Sequence, residues 1–214
     1  MYKVADASHE LDHLSVGSDA AVIEFPKPRL LPATLQAGLT GPAYTLTARV
    51  LHWLTSLLMA PMIPLGVITA NDWGGRLQDL LSGLHQSLGV VLIPVVLVRL
   101  GYRLMNPPLP LPEEIAALQR FAAHATHLGL YVLLIVQPLI GLIAASAAGM
   151  PAIVLGPFAL PPVVSEDPVL AEKLFVLHGL AGMSLAGLLA AHIGAALYHH
   201  LVRKDRVLMR MITG

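Results

Sequence analysis

The sequence predicts an all-α membrane protein, a four-transmembrane-helix bundle, on three observations. The 214-residue chain is 56% hydrophobic and only 12% charged, with a mean hydropathy of +0.71, where soluble chains carry about a quarter charged residues. Its charges are clustered. Val50 to Ala70, Leu80 to Val98, Phe121 to Ser165 and Leu174 to Val202 hold no Asp, Glu, Lys or Arg, in runs of 21, 19, 45 and 29 residues. About 20 apolar residues in a helix cross a hydrocarbon core of about 30 Å, so each run supplies a span. The apolar residues also lack period-2 alternation in segments of about ten, which excludes a transmembrane barrel.

Residues 1–45 carry five acids and three bases, the proline-bearing stretch EFPKPRLLPATLQ and no apolar stretch near the start. This reads as a disordered cytoplasmic extension and not as a signal peptide. The first span is expected over 50–70 and the second over 80–104. The link NPPLPLPEEI must leave the helix at its prolines, and Glu113 and Glu114 suit the first turn of the next helix. The third span is expected over 121–147. Between it and the fourth, over 174–202, the loop 148–173 carries Pro151, Pro157, Pro161, Pro162 and Pro168 and reads as a surface lid, not as a fifth span. Pro61, Pro64, Pro94 and Pro138 fall inside spans, where a neighbouring helix or water satisfies the freed carbonyls.

Four spans put both ends of the domain on one side. Arg49, Arg99, Arg103, Arg120, Arg203, Lys204, Arg206 and Arg210 flank that side against Arg76 and Lys173 on the other, which places both termini in the cytoplasm.

The chain has no cysteine, which excludes disulfides, thiolate metal sites, iron–sulfur clusters and covalently attached c-type haem. It has ten histidines and zero net charge. No global field points to nucleic acid. His52 opens the first span, His85 lies near the outer end of the second, His178 near the outer end of the fourth, and His192 further down that same helix. Fourteen residues separate His178 from His192, about 21 Å along the axis and within about 40° of one face. His85 can therefore meet His178 at one depth, and His52 can meet His192 at the other. Imidazole pairs from different helices, without cysteine or clustered carboxylates, fit bis-histidine haem b better than zinc or di-iron. The bland alternative is that each ring hydrogen-bonds a carbonyl or snorkels at the interface.

Gly83, Gly89, Gly179, Gly182 and Gly187 on the second and fourth spans admit either a flat macrocycle or a neighbouring helix. Arg99 follows His85 by fourteen residues and suits a haem propionate or a plain positive-inside anchor. His124 and His127 join Arg120 and Tyr131 in a helical stripe and read first as partners beside the haem or its propionates, with direct ligation the lesser alternative. Trp53 and His199 read either as interface residues or as a quinone headgroup site.

The stretches RVLHWLTSLL, LHQSLGVVLIPVVLVRLGYRL, RFAAHATHLGLYVLLIVQPLIGLI and LHGLAGMSLAGLLAAHIGAALYHHLVRKDRVLMRM resemble, in order and spacing, the four spans of prokaryotic cytochrome b561. The match covers about residues 46–214 and includes the His-Trp pair, the Arg after the second span and the His-His and Lys-Asp ending. Residues 1–45 have no counterpart in it. The resemblance implies a dihaem cytochrome b of the bacterial inner membrane with His52, His85, His178 and His192 as iron ligands. It further implies electron flow, in some members, from periplasmic superoxide to ubiquinone bound near Trp53 and His199.

Two other classes of function compete. A membrane electron-transfer subunit that docks a dehydrogenase or a soluble cytochrome would suit the outer loops, where Asp72, Asp79, Glu166, Asp167 and Glu172 outnumber Arg76 and Lys173. A histidine-lined proton or metal transporter would need intramembrane carboxylates, and the four spans contain none.

Overall fold

The computed structural model describes residues 44–71, 74–107, 116–150, 152–154 and 158–213. Apart from Tyr44 and Thr45, the expected N-terminal extension lies outside them, as do Glu113 and Glu114. Four long helices carry the fold: α1 Leu46–Thr69, α2 Gly75–Met105, α3 Ala117–Ala147 and α4 Pro168–Tyr198. All four are long and apolar enough to cross a membrane, the last counted through Arg203. Each begins four to six residues before its charge-free run, because Arg49, Arg76, Asp79, Arg120, Glu172 and Lys173 sit within the first two turns, where polar side chains reach water.

The helix starts follow from local chemistry. The Thr45 hydroxyl accepts from the Ala48 N–H at 3.3 Å and caps α1. Asp167 caps α4 by accepting from the Leu170 N–H at 3.0 Å, with Pro168 in the first helical position. Inside the apolar spans, Thr55, Ser56, Thr69 and Ser184 donate to carbonyls one turn back, so none of these four hydroxyls is left unpaired. Pro61, Pro64, Pro94 and Pro138 all lie within continuous helix.

The segment 148–173, expected as a surface lid and not a fifth span, carries a short strand pair and the first turns of α4. Strands β1 Ala152–Val154 and β2 Phe158–Leu160 pair antiparallel, and β1 runs close to α2. Strands this short need support from a neighbouring element, which no local pattern announces. Ser146 anchors the rest of the loop: its hydroxyl donates to the Val164 carbonyl at 3.0 Å and accepts from the N–H groups of Val163 and Val164 at 2.9 and 3.1 Å.

The chain after α4 also departs from a simple exit. A π turn, His199–Arg203, ends at Lys204 in the left-handed region (φ 54°), and the Asp205 N–H closes on the His199 carbonyl. A last helical turn, α5 Met209–Ile212, then docks on α1. Trp53 donates its indole N–H to the Met211 carbonyl at 3.0 Å, and Arg49 donates to the Ile212 carbonyl at 2.6 Å.

Along the bundle, α3 packs on α4, α1 on α2, and α2 on α3, whereas α1 and α2 make few close backbone approaches to α4. Met59, Leu92, Val96, Leu130, Leu134 and Leu185 form the buried core. Large apolar side chains such as Leu57, Val98, Leu128, Val176 and Met183 point outward. This pattern suits a lipid solvent.

Candidate functional site

Two imidazole pairs form across the gaps that α4 leaves. His52 of α1 and His192 of α4 face each other with ring centres 6.2 Å apart, at the end of the bundle where α1 begins and α4 ends, the termini end. His85 of α2 and His178 of α4 stand 6.0 Å apart, with rings crossed at 84°, toward the hairpin end. Met59 lies seven residues from His52, Leu92 seven from His85, and Leu185 seven from both His178 and His192. Seven residues return to nearly the same helix face, so an apolar layer separates the two pairs by about 10 Å on either side.

The His178 ring is fixed from α3. The His178 Nδ1 donates to the Gln137 carbonyl at 3.1 Å, and the Gln137 amide donates to the His178 carbonyl at 2.7 Å. Two glycines stand hard against the rings. A Cβ on Gly141 would come within 2.8 Å of the His178 ring, and one on Gly66 within 3.2 Å of the His85 ring. By contrast, a Cβ at Gly83, Gly179 or Gly187 would meet nothing within 4 Å, so these three make no close helix contact. Of the five glycines read from the sequence, the other two have close neighbours: a Cβ on Gly182 would come within 3.0 Å of the Gln137 amide and one on Gly89 within 3.6 Å of Met62.

At the termini end, Arg99 donates to the His52 Nδ1 at 2.8 Å. The Tyr131 ring lies 5.5 Å from the Arg99 guanidinium and 5.2 Å from that of Arg103. His127 approaches His192 to 5.3 Å between ring centres, while His124 turns back to the Arg120 carbonyl of its own helix. A cavity of about 60 Å³ opens between His52, His127, His192, Arg99 and Leu185. A second, of about 50 Å³, lies between His52, Arg99, Tyr102, Tyr131 and Met211.

Trp53 stacks edge-on beside His52 at 5.2 Å, and His199 lies 2.6 Å from Asp205, its Nδ1 donating to Oδ2. Burial pushes the Asp205 carboxyl up, but hydrogen bonds from His199 and the Val207 N–H and the charge of Arg203 hold it below the usual carboxylate range. Trp53 and His199 are thus held by different partners in the C-terminal segment.

The model of the family Prokaryotic cytochrome b561 matches residues 43–214. This chain belongs to that family. Among similar proteins, Cytochrome b561 homolog 2 of Escherichia coli (strain K12) is 31% identical over 176 residues, covering 81% of this chain and 93% of the relative. Cytochrome b561 homolog 1 of the same organism is 29% identical over 167 residues, 76% of this chain and 92% of the relative. A Yersinia pestis protein named Probable superoxide oxidase CybB is 28% identical over 163 residues, 76% of this chain and 91% of its own. The chain is therefore a multi-pass membrane protein of a prokaryotic cytochrome b561 family, whose work is electron transfer.

Sequence spacing alone does not single out Gln137, Gly141 or Gly66 of this cytochrome. A signal for Gln137 is nonetheless present: it is a polar amide in the middle of the charge-free run from Phe121 to Ser165.

Proposed function

We propose that this cytochrome b561 binds two haem b groups, one between His85 and His178 and one between His52 and His192, and carries electrons from one face of the bacterial inner membrane to ubiquinone at the other. The observation that carries the reading is the ring separation. Two imidazoles that share one iron on opposite sides stand about 6.2 Å apart at their centres, from a metal–nitrogen bond of about 2.0 Å and a ring radius of about 1.1 Å. The two pairs stand at 6.2 and 6.0 Å. His127 and His192, at 5.3 Å, are too close for that arrangement. Among the described residues no group of three or more His, Cys, Asp or Glu could hold a metal. An iron on either pair must bring its remaining ligands, as a porphyrin does.

Haem supplies one-electron exchange in an apolar interior. The chain's part is to hold the rings, keep water from the layer between them and move protons at the far end. Arg99 donates to His52 Nδ1, so in this arrangement Nε2 carries the ring hydrogen. Ligation through Nε2 calls for Arg99 to give up that bond, and its charge then suits a propionate.

The excess of basic residues flanking the end where α1 begins and α4 ends supports a cytoplasmic position for that end, and on this reading the pair near the hairpin is the outer one. Superoxide, losing one electron to become dioxygen, is the proposed donor, in keeping with the name of the Yersinia pestis relative. Two such electrons and two protons convert ubiquinone to ubiquinol, at a site near Trp53 and His199. The second reading, an electron-transfer subunit for a dehydrogenase or a soluble cytochrome, is favoured by the outer acids Asp79, Glu166, Asp167 and Glu172 against Arg76 and Lys173. The purified oxidised protein, given superoxide from an enzymatic source with ubiquinone analogue present, should reduce its haems and then the quinone. Haems that stay oxidised under superoxide but are reduced by a soluble redox protein decide for the second reading.

A further inference from the structure

We infer that Gln137 is the positioning residue of the outer imidazole pair, and that its side chain sets the redox poise of that pair alone. The inference rests on the reading of His85 and His178 as ligands of one haem.

An uncharged amide in the middle of a membrane span is costly unless it is bonded, and the Gln137 side chain makes its bond to His178. Its Nε2 donates to the His178 main-chain carbonyl at 2.7 Å, and the main-chain carbonyl of Gln137, not its side chain, receives the His178 Nδ1–H at 3.1 Å. These two bonds run in opposite directions between the same two residues and lock α3 to α4 in register at that level. The amide cannot be turned over, because its Oε1 would then face the His178 carbonyl, acceptor against acceptor. Oε1 itself is buried without a hydrogen-bond partner. The span bears that cost for the bond at the other end of the amide.

Two glycines give the pair its room. Gly182 stands one turn beyond His178, and a Cβ there would lie 3.0 Å from the Gln137 Nε2. Gly141 stands one turn beyond Gln137, and a Cβ there would lie 2.8 Å from the His178 ring.

The consequence is chemical. A carbonyl only accepts, so Nδ1 carries the hydrogen and the Nε2 lone pair of His178 is left for iron. A ring that donates from Nδ1 to a carbonyl is a more basic ligand, which favours the oxidised metal. At His52 a donor, Arg99, stands at Nδ1 in place of an acceptor, and ligation through Nε2 would release it. The two haem sites are therefore tuned by different devices, and Gln137 acts on one of them.

The test uses the full-length haem-loaded protein and the variants Gln137→Leu and Gly182→Ala, followed by potentiometric titration and by low-temperature EPR of the two ferric haems. Gln137→Leu keeps the main-chain carbonyl that receives the His178 Nδ1–H but loses the amide clamp that holds the two helices in register for that bond, so the haem that is missing from His178→Ala should become easier to reduce, its reduction equilibrium constant rising at least threefold, with its EPR signal displaced. The other haem should keep both values. Gly182→Ala, which drives a Cβ against the amide, should move the same haem in the same direction. Loss of the outer haem alone in Gln137→Leu also supports the inference. Unchanged values for both haems, or equal changes in both, overturn it, since a merely structural amide would loosen the bundle as a whole. A parental protein with two haems and an unmoved Gln137→Leu variant sinks this inference only. A parental protein without a haem that depends on His178 sinks it together with the ligand reading.

Discussion

Arg99 of α2 and His52 of α1 are joined by a hydrogen bond of 2.8 Å in which the guanidinium donates. Arg99 is a permanent cation beside the His52–His192 pair, proposed above as the inner one. A nearby positive charge favours the state with one more electron. At an effective dielectric of about 20, a unit charge about 8 Å away is worth roughly 2 kcal/mol, or about 90 mV for one electron. Arg99→Met should lower the midpoint of the inner haem by up to about that amount and leave the outer one in place. A redox titration in which the inner midpoint holds or rises would show that Arg99 is only an anchor.

The haem count follows from the pairs. Two noncovalent haems per chain are expected, all removable by acid–acetone because the chain has no cysteine to attach them. His85→Ala and His178→Ala should each lose one haem, and His52→Ala and His192→Ala the other. His127→Ala should retain two, since its ring is too near His192 to share an iron with it. The pyridine haemochrome ratio of each variant decides, and an inner haem lost in His127→Ala but kept in His52→Ala would move the ligand from α1 to α3.

Ser146 ties the loop after the hairpin to the end of α3 through three hydrogen bonds of one hydroxyl. Ser146→Ala leaves two backbone N–H groups and a carbonyl to find water. The expected loss is about 1–3 kcal/mol, most of it at the hairpin end. Faster proteolysis between residues 148 and 167, with the haem spectrum unchanged, is the outcome to look for; parental cleavage rates would remove Ser146 from the account.

Much of this bundle is legible in the sequence because charge and histidine carry strong signals in an apolar chain. The charge-free runs locate all four helices, and fourteen-residue spacing brings out the two levels on α4. Helix ends are less legible. Arg49 and Arg76 break a charge-free run without breaking a helix, while Asp167 followed by Pro168 marks the true start of α4 and carries more information than the run itself. The hairpin is hidden because Ala152–Val154 and Phe158–Leu160 are held by α2 and by each other, not by local propensity. The His199–Asp205 contact is hidden because residues six apart do not share a helix face. Only the π turn and the left-handed Lys204 bring them together.

Asp205 gives that turn a pH dependence with a definite sign. Its carboxyl is held below its ordinary range, so the stability it contributes is fully present above the unfolded carboxylate pKa of about 3.9 and is lost as pH falls through the lower folded value. Hydrogen exchange of residues 199–213, corrected for intrinsic rates, should show constant protection from pH 8 to 5 and a loss only in acid below about 4. A loss already between pH 8 and 5 would assign the turn to another group.

Electron exit is the last prediction. Reduction of a quinone takes up protons with electrons, so its headgroup must meet the inner haem, a proton-exchanging side chain and lipid together. Trp53 is the neighbour of His52 and is bonded to the Met211 carbonyl, and His199 leaves the bundle seven residues beyond His192 with its Nδ1 held by Asp205. The carboxylate fixes the imidazole so that Nε2 is the nitrogen free to exchange a proton. His199→Leu removes that proton carrier. Trp53→Ala removes both the aromatic wall and one of the bonds that dock α5. Asp205→Asn keeps the imidazole but releases it. All three should bind both haems and accept electrons from outside at the parental rate. Reoxidation by a soluble ubiquinone analogue, followed by stopped flow, should slow about 10²-fold in His199→Leu, the usual scale of a lost general acid, and less in Asp205→Asn. If His199→Leu and Trp53→Ala reoxidise as fast as the parent, the quinone binds elsewhere, and these residues serve only to fasten the C-terminal segment to α1.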